Sequence, residues 1–224
     1  MEIVNIIALS MGAAWASGIN LYAAIFMLGW LGSTGNLDLP PELDILTDPT
    51  VMMAAGVMYC IEFFTDKTPG VDTGWDTIHT FIRIPAGALM AAGAVGELGT
   101  GAELAALLLG GSLSAASHAT KAGSRVLINT SPEPFSNWTA SVVEDIAVIA
   151  GLWTALHYPV VFLIALAVII IIMAWLLPKI WRGVKRVYTT IVNFFRRRKV
   201  STPPSPPPKS PPKSPPKSLE HHDP

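Results

Sequence analysis

The sequence predicts an all-α membrane protein of about six transmembrane helices, and three observations predict it. Of its 224 residues, 51% are hydrophobic and only 14% charged, against about a quarter charged in soluble domains. Mean hydropathy is +0.47, and the apolar residues fall in long runs. The run "YPVVFLIALAVIIIIMAWLLP", 158–178, carries no charge, and roughly 20 such residues cross a hydrocarbon core of about 30 Å. Finally, all fifteen Lys and Arg sit at Lys67, Arg83, Lys121 and Arg125 or from Lys179 onward. Bases confined to few places are what an oriented bundle needs.

In chain order, spans are expected near 3–32, 49–65, 82–97, 103–127, 139–157 and 158–178. The first begins after Glu2, without the basic segment and small-residue cleavage site of a signal peptide, so it is read as a retained span. The second and third are short. The third, "RIPAGALMAAGAVG", is rich in Ala and Gly, residues that let helices approach closely, which places it inside the bundle. The fifth and sixth are joined by "LHYP", whose Pro159 suits a tight turn. Cys60 is the single cysteine and lies in a span, where it reads as a small packing residue.

The loop 33–48 holds Asp38, Glu42, Asp44 and Asp48 without a base, and the turn 97–103 holds two acids and no base. The positive-inside rule then puts both loops outside and both termini in the cytoplasm. Trp30 and Trp153 fall near outer ends, and Trp138, Trp175 and Trp181 near inner ends, as interfacial belts prefer. On this reading the sequons at Asn129 and Asn137 lie on the cytoplasmic side. The segment Ala8–Ala24 can be laid over Ala106–Ala122 without a gap, with Asn20 on His118. Two readings stay open. Either 3–97 and 103–178 are inverted three-helix repeats, or Ala/Gly-rich helices resemble one another by composition.

The membrane domain on this reading is 1–178. Residues 179–200, "KIWRGVKRVYTTIVNFFRRRKV", place Ile180, Trp181, Val184, Val187, Tyr188, Ile191, Phe194 and Phe195 on one face of a basic helix. An amphipathic helix of this kind lies in the interface, where anionic lipids attract each base by about 1 kcal/mol. Residues 201–224 repeat a Ser-Pro-Pro-Lys unit and predict a disordered, extended tail. It would serve as a solvated spacer or dock a proline-recognition module. The partners expected are the bilayer, anionic inner-leaflet lipid, a tail-binding protein and a second copy of the chain. Nothing points to nucleic acid.

Charged residues inside so apolar a chain need a reason. Asp72, Asp76, His79 and Arg83 recur at helical spacing, as do Ser114, His118, Lys121 and Arg125, so each set lines one face. Glu62, Asp66 and Lys67 end the second span, and Glu144 and Asp145 open the fifth. The first set is read as a short helix connecting spans two and three. An unpaired charge inside a span costs at least about 2.5 kcal/mol. Glu62, Asp66, Lys67, Asp72, Asp76, His79, Arg83, His118, Lys121, Arg125, Glu144 and Asp145 are therefore expected to form one polar cluster at the cytoplasmic half. That cluster is either a structural salt-bridge network or a solute-binding cavity. In the second case His118, with an unperturbed value near 6.5, would be the natural proton-responsive group. Signatures of membrane phosphotransferases, lipid phosphatases and zinc proteases are absent, and no metal-ligand spacing occurs. No enzyme activity, metal or cofactor is expected.

"EFFTDKTPGVDTGWDTIHTFIRIPAGAL" and "SHATKAGSR" resemble the two signatures of a family of small bacterial polytopic membrane proteins, described only as a domain of unknown function. The likeness covers roughly residues 5–178 and implies a multi-pass protein of the bacterial inner membrane; it implies no activity. Two functions remain in play: a transporter or channel for a small ion, polar solute or anionic lipid head group, or a scaffold that binds anionic lipid and recruits a partner through its tail.

Overall fold

The computed structural model describes residues 2–68, 70–130 and 134–200, without the side chains of residues 134 and 194–200. Among these residues there are six α-helices and no strand: α1 (Ile3–Ser33), α2 (Pro49–Thr65), α3 (Val71–Ala94), α4 (Thr100–Ile128), α5 (Pro134–His157) and α6 (Pro159–Val200). Short 3-10 turns, Pro41–Thr47 and Gly96–Leu98, link α1 to α2 and α3 to α4. Three helices are long and apolar enough to cross a membrane, Ile3–Ser33, Phe135–His157 and Pro159–Asn193, and α2 is a shorter apolar helix. One compact unit extends to Tyr188, ten residues beyond the expected domain end. Most of the second unit, 189–224, including the Pro/Ser/Lys tail, lies outside the described residues.

α1 does not cross. Asn20 leaves helical geometry (φ −145°, ψ 93°), and its Oδ1 accepts the Ala23 N–H at 3.0 Å. Asparagine competes for backbone hydrogen bonds in this way, so it ends one half-helix and caps the next. The halves run in opposite directions. Ser10 and Ser17 donate to the Ala91 and Arg83 carbonyls of α3, so the first half descends as α3 ascends. In the second half Phe26 meets Gly56, and Gly29 meets Met52 and the Leu46 carbonyl, so it climbs back along α2. Asn5 and Leu9 share a small cavity with Asn36 and Asp38, and Gly32 abuts Leu39 and Thr47. Both ends of α1 therefore stand together. A straight helix of 31 residues would hold them about 46 Å apart.

The first helix is a hairpin, and three expectations change with it. Five helices, α2 to α6, traverse the bundle instead of six. The start of α1 lies at the end of the bundle that carries the Pro41–Thr47 turn, opposite the end where α4 finishes, so the parity argument, which counted α1 as one crossing, fails. α4 has no break to match, so the segments aligned at Asn20 and His118 fold differently.

Two further differences concern helix continuity. The Asp72–Arg83 stripe is no separate connecting helix but the first turns of α3, which continues through Pro85. Pro85 lies in the interior of α3, where proline removes one backbone hydrogen bond, and Ser17 and Ser114 both donate to the Arg83 carbonyl beside it. Likewise α6 continues through Pro178 where a break was expected. Ile180 packs on Gly123 and Gly183 on Leu127, so the first turns of the basic segment belong to the bundle.

Small residues draw α1, α3 and α4 together: a Cβ at Gly18 would overlap Ser117 Oγ and the Ser114 carbonyl, and one at Gly110 would overlap Ala91. At the turn end, Leu43 and Leu46 are buried with Leu28, Met90, Ala94 and Val95. Asp48 caps α2 by accepting from the Thr50 and Val51 amides, which hold its carboxyl below the usual carboxylate range. Exposed tryptophans mark both ends, Trp30 and Trp153 at one, Trp138, Trp175 and Trp181 at the other.

Candidate functional site

The first half of α1, residues 3–19, spans about 25 Å, so its tip stops short of a core about 30 Å thick. A broken helix at that depth exposes carbonyls that lipid cannot satisfy. Here Lys121 Nζ donates to the Ile19 carbonyl at 3.0 Å, and Asn20 Nδ2 donates to Asp145 Oδ1 at 2.9 Å. The tip is held by charged groups of α4 and α5.

Lys121 is the centre of a wider network. Its ammonium lies 2.6 Å from Asp66 Oδ2, 3.1 Å from Glu62 Oε1, and 3.9 Å from both Asp76 Oδ1 and Glu144 Oε2. Arg83 pairs with Glu62 at 2.5 Å and with Asp76 at 3.2 Å. Arg125 pairs with Glu144 at 2.5 Å and also donates to Asn137 Oδ1 and to the Asn137 and Asp66 carbonyls. Arg83 and Arg125 are fully buried, and Glu144, with 19% of its side chain exposed, is the most accessible member. The faces of α3 and α4 meet, with the end of α2 and the start of α5 closing the ring. Buried charges persist only when paired and hydrogen-bonded.

The other expected residues surround this ring. Asp72 accepts from the Gly70 and Thr73 amides and from the side chains of Asn129 and Asn137, so its charge is spent at the start of α3. His79 bonds the Trp75 carbonyl and Tyr22 hydroxyl and stacks on Trp75. Lys67 bonds Ser141 Oγ and the Phe63 carbonyl and lies 3.0 Å over the Phe63 ring. His118 Nε2 is 2.7 Å from Thr80 Oγ1, whose hydroxyl donates to the Asp76 carbonyl, while Nδ1 faces Arg83 Nη1 at 3.5 Å. Nε2 therefore donates and Nδ1 accepts, which fixes the neutral tautomer. The free proton-accepting capacity lies elsewhere. Glu62 Oε2, Asp66 Oδ1, Asp76 Oδ2 and Asp145 Oδ2 are buried with no hydrogen-bond partner among the described residues.

A cavity of about 300 Å³ reaches the ring from the side, between α1, α4, α5 and α6. Lys121, Glu144, Ser117, Thr120 and Ser124 form its polar wall, and Ile169, Ile172, Met173 and Leu176 of α6 its apolar wall.

Asn20, Tyr22, Asn129 and Asn137 were not among the expected site residues. Asn20 carried only a faint signal, one amide inside an apolar run, of the kind that competes with helix hydrogen bonding. Asn129 and Asn137 read as sequons, yet Asn137 is 1% exposed and its side chain joins Arg125 to Asp72.

A family model described as a domain of unknown function (DUF4126) matches residues 7–179. No curated protein and no solved structure matches the chain.

Proposed function

We propose that this chain, which belongs to that family of unknown function (DUF4126), is a transporter or channel whose site is the charged ring around the α1 hairpin tip. One observation carries the reading: a helix interrupted at membrane depth, with its freed Ile19 carbonyl held by Lys121. Discontinuous helices whose ends meet charged groups are how transporters build ion and substrate sites. A static membrane protein has no need of the arrangement, because burying ion pairs is seldom worth more than an apolar core. The side cavity supplies a way in.

The ring contains four carboxylates, Glu62, Asp66, Asp76 and Glu144, and three cations, Arg83, Lys121 and Arg125. That excess favours a cation, a proton or a polar solute over an anionic head group. With the basic end in the cytoplasm, the cavity opens toward the inner half of the bacterial inner membrane. The N-terminus is then external and the C-terminus cytoplasmic.

The close pairing within the ring favours one other reading, a non-transporting scaffold that grips anionic lipid and recruits a partner. A solute-flux and lipid-scrambling screen in proteoliposomes separates the two. Wild type should carry at least one solute class above empty vesicles, and Glu144→Gln should lower that flux at least about tenfold, equivalent to about 1.4 kcal/mol. Wild-type vesicles that pass nothing would sink the transport reading.

A further inference from the structure

We propose that the ring binds one proton, taken up by Glu62, Asp66 or Asp76. Its role in transport rests on the reading above; the binding itself does not.

The first argument is charge. Four carboxylates face three cations in the ring; beside it the Asp145 carboxylate is offset by the Lys67 ammonium, and Asp72 is hydrogen-bonded by four neutral donors. One negative charge is left over among side chains that, Glu144 apart, are at least 96% buried, and a buried charge is costly until it is neutralised. The second argument is geometry. Glu62, Asp66 and Asp76 are each at least 97% buried, and each keeps one oxygen without a partner. Three open carboxylate oxygens within one ring are three places for a proton.

A metal ion fits less well. The ammonium of Lys121 already occupies the point on which the carboxylates converge, within 2.6–3.9 Å of all four. Among the described residues no group of three or more His, Cys, Asp or Glu is placed to hold a metal. A proton needs no such space. The titratable and charged groups facing it are Asp76, His79 and Arg83 from α3, His118, Lys121 and Arg125 from α4, and Glu144 and Asp145 from α5. Lys67 follows α2, and α1 contributes the Tyr22 hydroxyl and the Ile19 carbonyl. Glu144, part-exposed on the cavity, is the entry point.

The step moves no electrons: a hydronium ion gives its proton to a carboxylate oxygen and leaves as water. A proton on Asp66 removes the charge from the closest partner of Lys121. The same ammonium also bonds the Ile19 carbonyl, so the proton lands one side chain away from the tip of α1.

Infrared difference spectra of the full-length protein in lipid nanodiscs test this, recorded between about pH 8 and about pH 5.5, where exposed carboxylates with reference values near 4 stay ionised. Wild type should gain the C=O stretch of a buried carboxylic acid. The band should disappear in at least one of Glu62→Gln, Asp66→Asn and Asp76→Asn, which mimic the protonated group, and persist in Asp44→Asn. No band in wild type overturns the proposal without recourse to any variant. So does a band that survives all three substitutions, or one abolished by added sodium or potassium at fixed pH. A band present in a protein that passes no solute would sink transport and leave the proton site standing.

Discussion

Lys121 concentrates the chemistry of the molecule in one atom. Its ammonium bonds two carboxylates and the carbonyl of a broken helix, so truncation strands several groups at once. Removing one partner of a buried pair costs about 3–5 kcal/mol, and Lys121→Ala should lower the unfolding midpoint in detergent accordingly. Asp44, exposed and outside the ring, should tolerate Asp44→Ala with almost no change, as solvated surface charges do. Equal shifts for the two variants would show that the ring contributes nothing to stability. Gly18 marks the tightest packing, since any Cβ there meets Ser117 and the α4 backbone. Gly18→Ala should cost about 1–3 kcal/mol by overpacking, read in the same melt.

At the scale of the element, the hairpin depends on Asn20 facing two ways. Its carbonyl oxygen caps the second half-helix and its amide satisfies Asp145. A double-mutant cycle of Asn20→Ala and Asp145→Ala should give a coupling energy of roughly 0.5–3 kcal/mol; additive effects would mean the amide and carboxylate do not share a bond. α6 offers a second test. Because Ile180 and Gly183 pack against α4, truncation after Pro178 should broaden and lower the melt, whereas truncation after Arg198 should leave it unchanged. Indistinguishable melts would place residues 179–198 outside the bundle after all.

For the whole molecule, the hairpin decides which side of the membrane each terminus occupies. In a Cys60→Ser background, an impermeant thiol reagent added from outside should label cysteines placed at Glu2 and at Asn36 and miss one at Thr130. A first helix that crossed would separate the first two sites. Labelling of Asn36→Cys alone would restore six crossings and remove the hairpin tip from the charged ring.

Sequence alone determined the class of the protein and its six helices, and it named the seven charged residues of the ring together with five that lie around it. Each of these follows from signals local to a segment. Hydropathy runs set the helices, and helical spacing aligned His118, Lys121 and Arg125 with one another and Asp76 with Arg83. The cost of an unpaired charge in lipid then required the two faces to meet. The confinement of bases to one set of segments likewise made the charged end legible. Tertiary structure decided the direction of α1. A 31-residue apolar run has the same composition whether it crosses or doubles back, and one asparagine is too small a signal to choose. The reversal is stable because Lys121 and Asp145, more than a hundred residues downstream in the chain, satisfy the groups it exposes. Continuity through Pro85 and Pro178 was settled in the same way. Neighbouring side chains, Ser17 and Ser114 at the first and Gly123 and Leu127 around the second, supply hydrogen bonds and packing that no local pattern records.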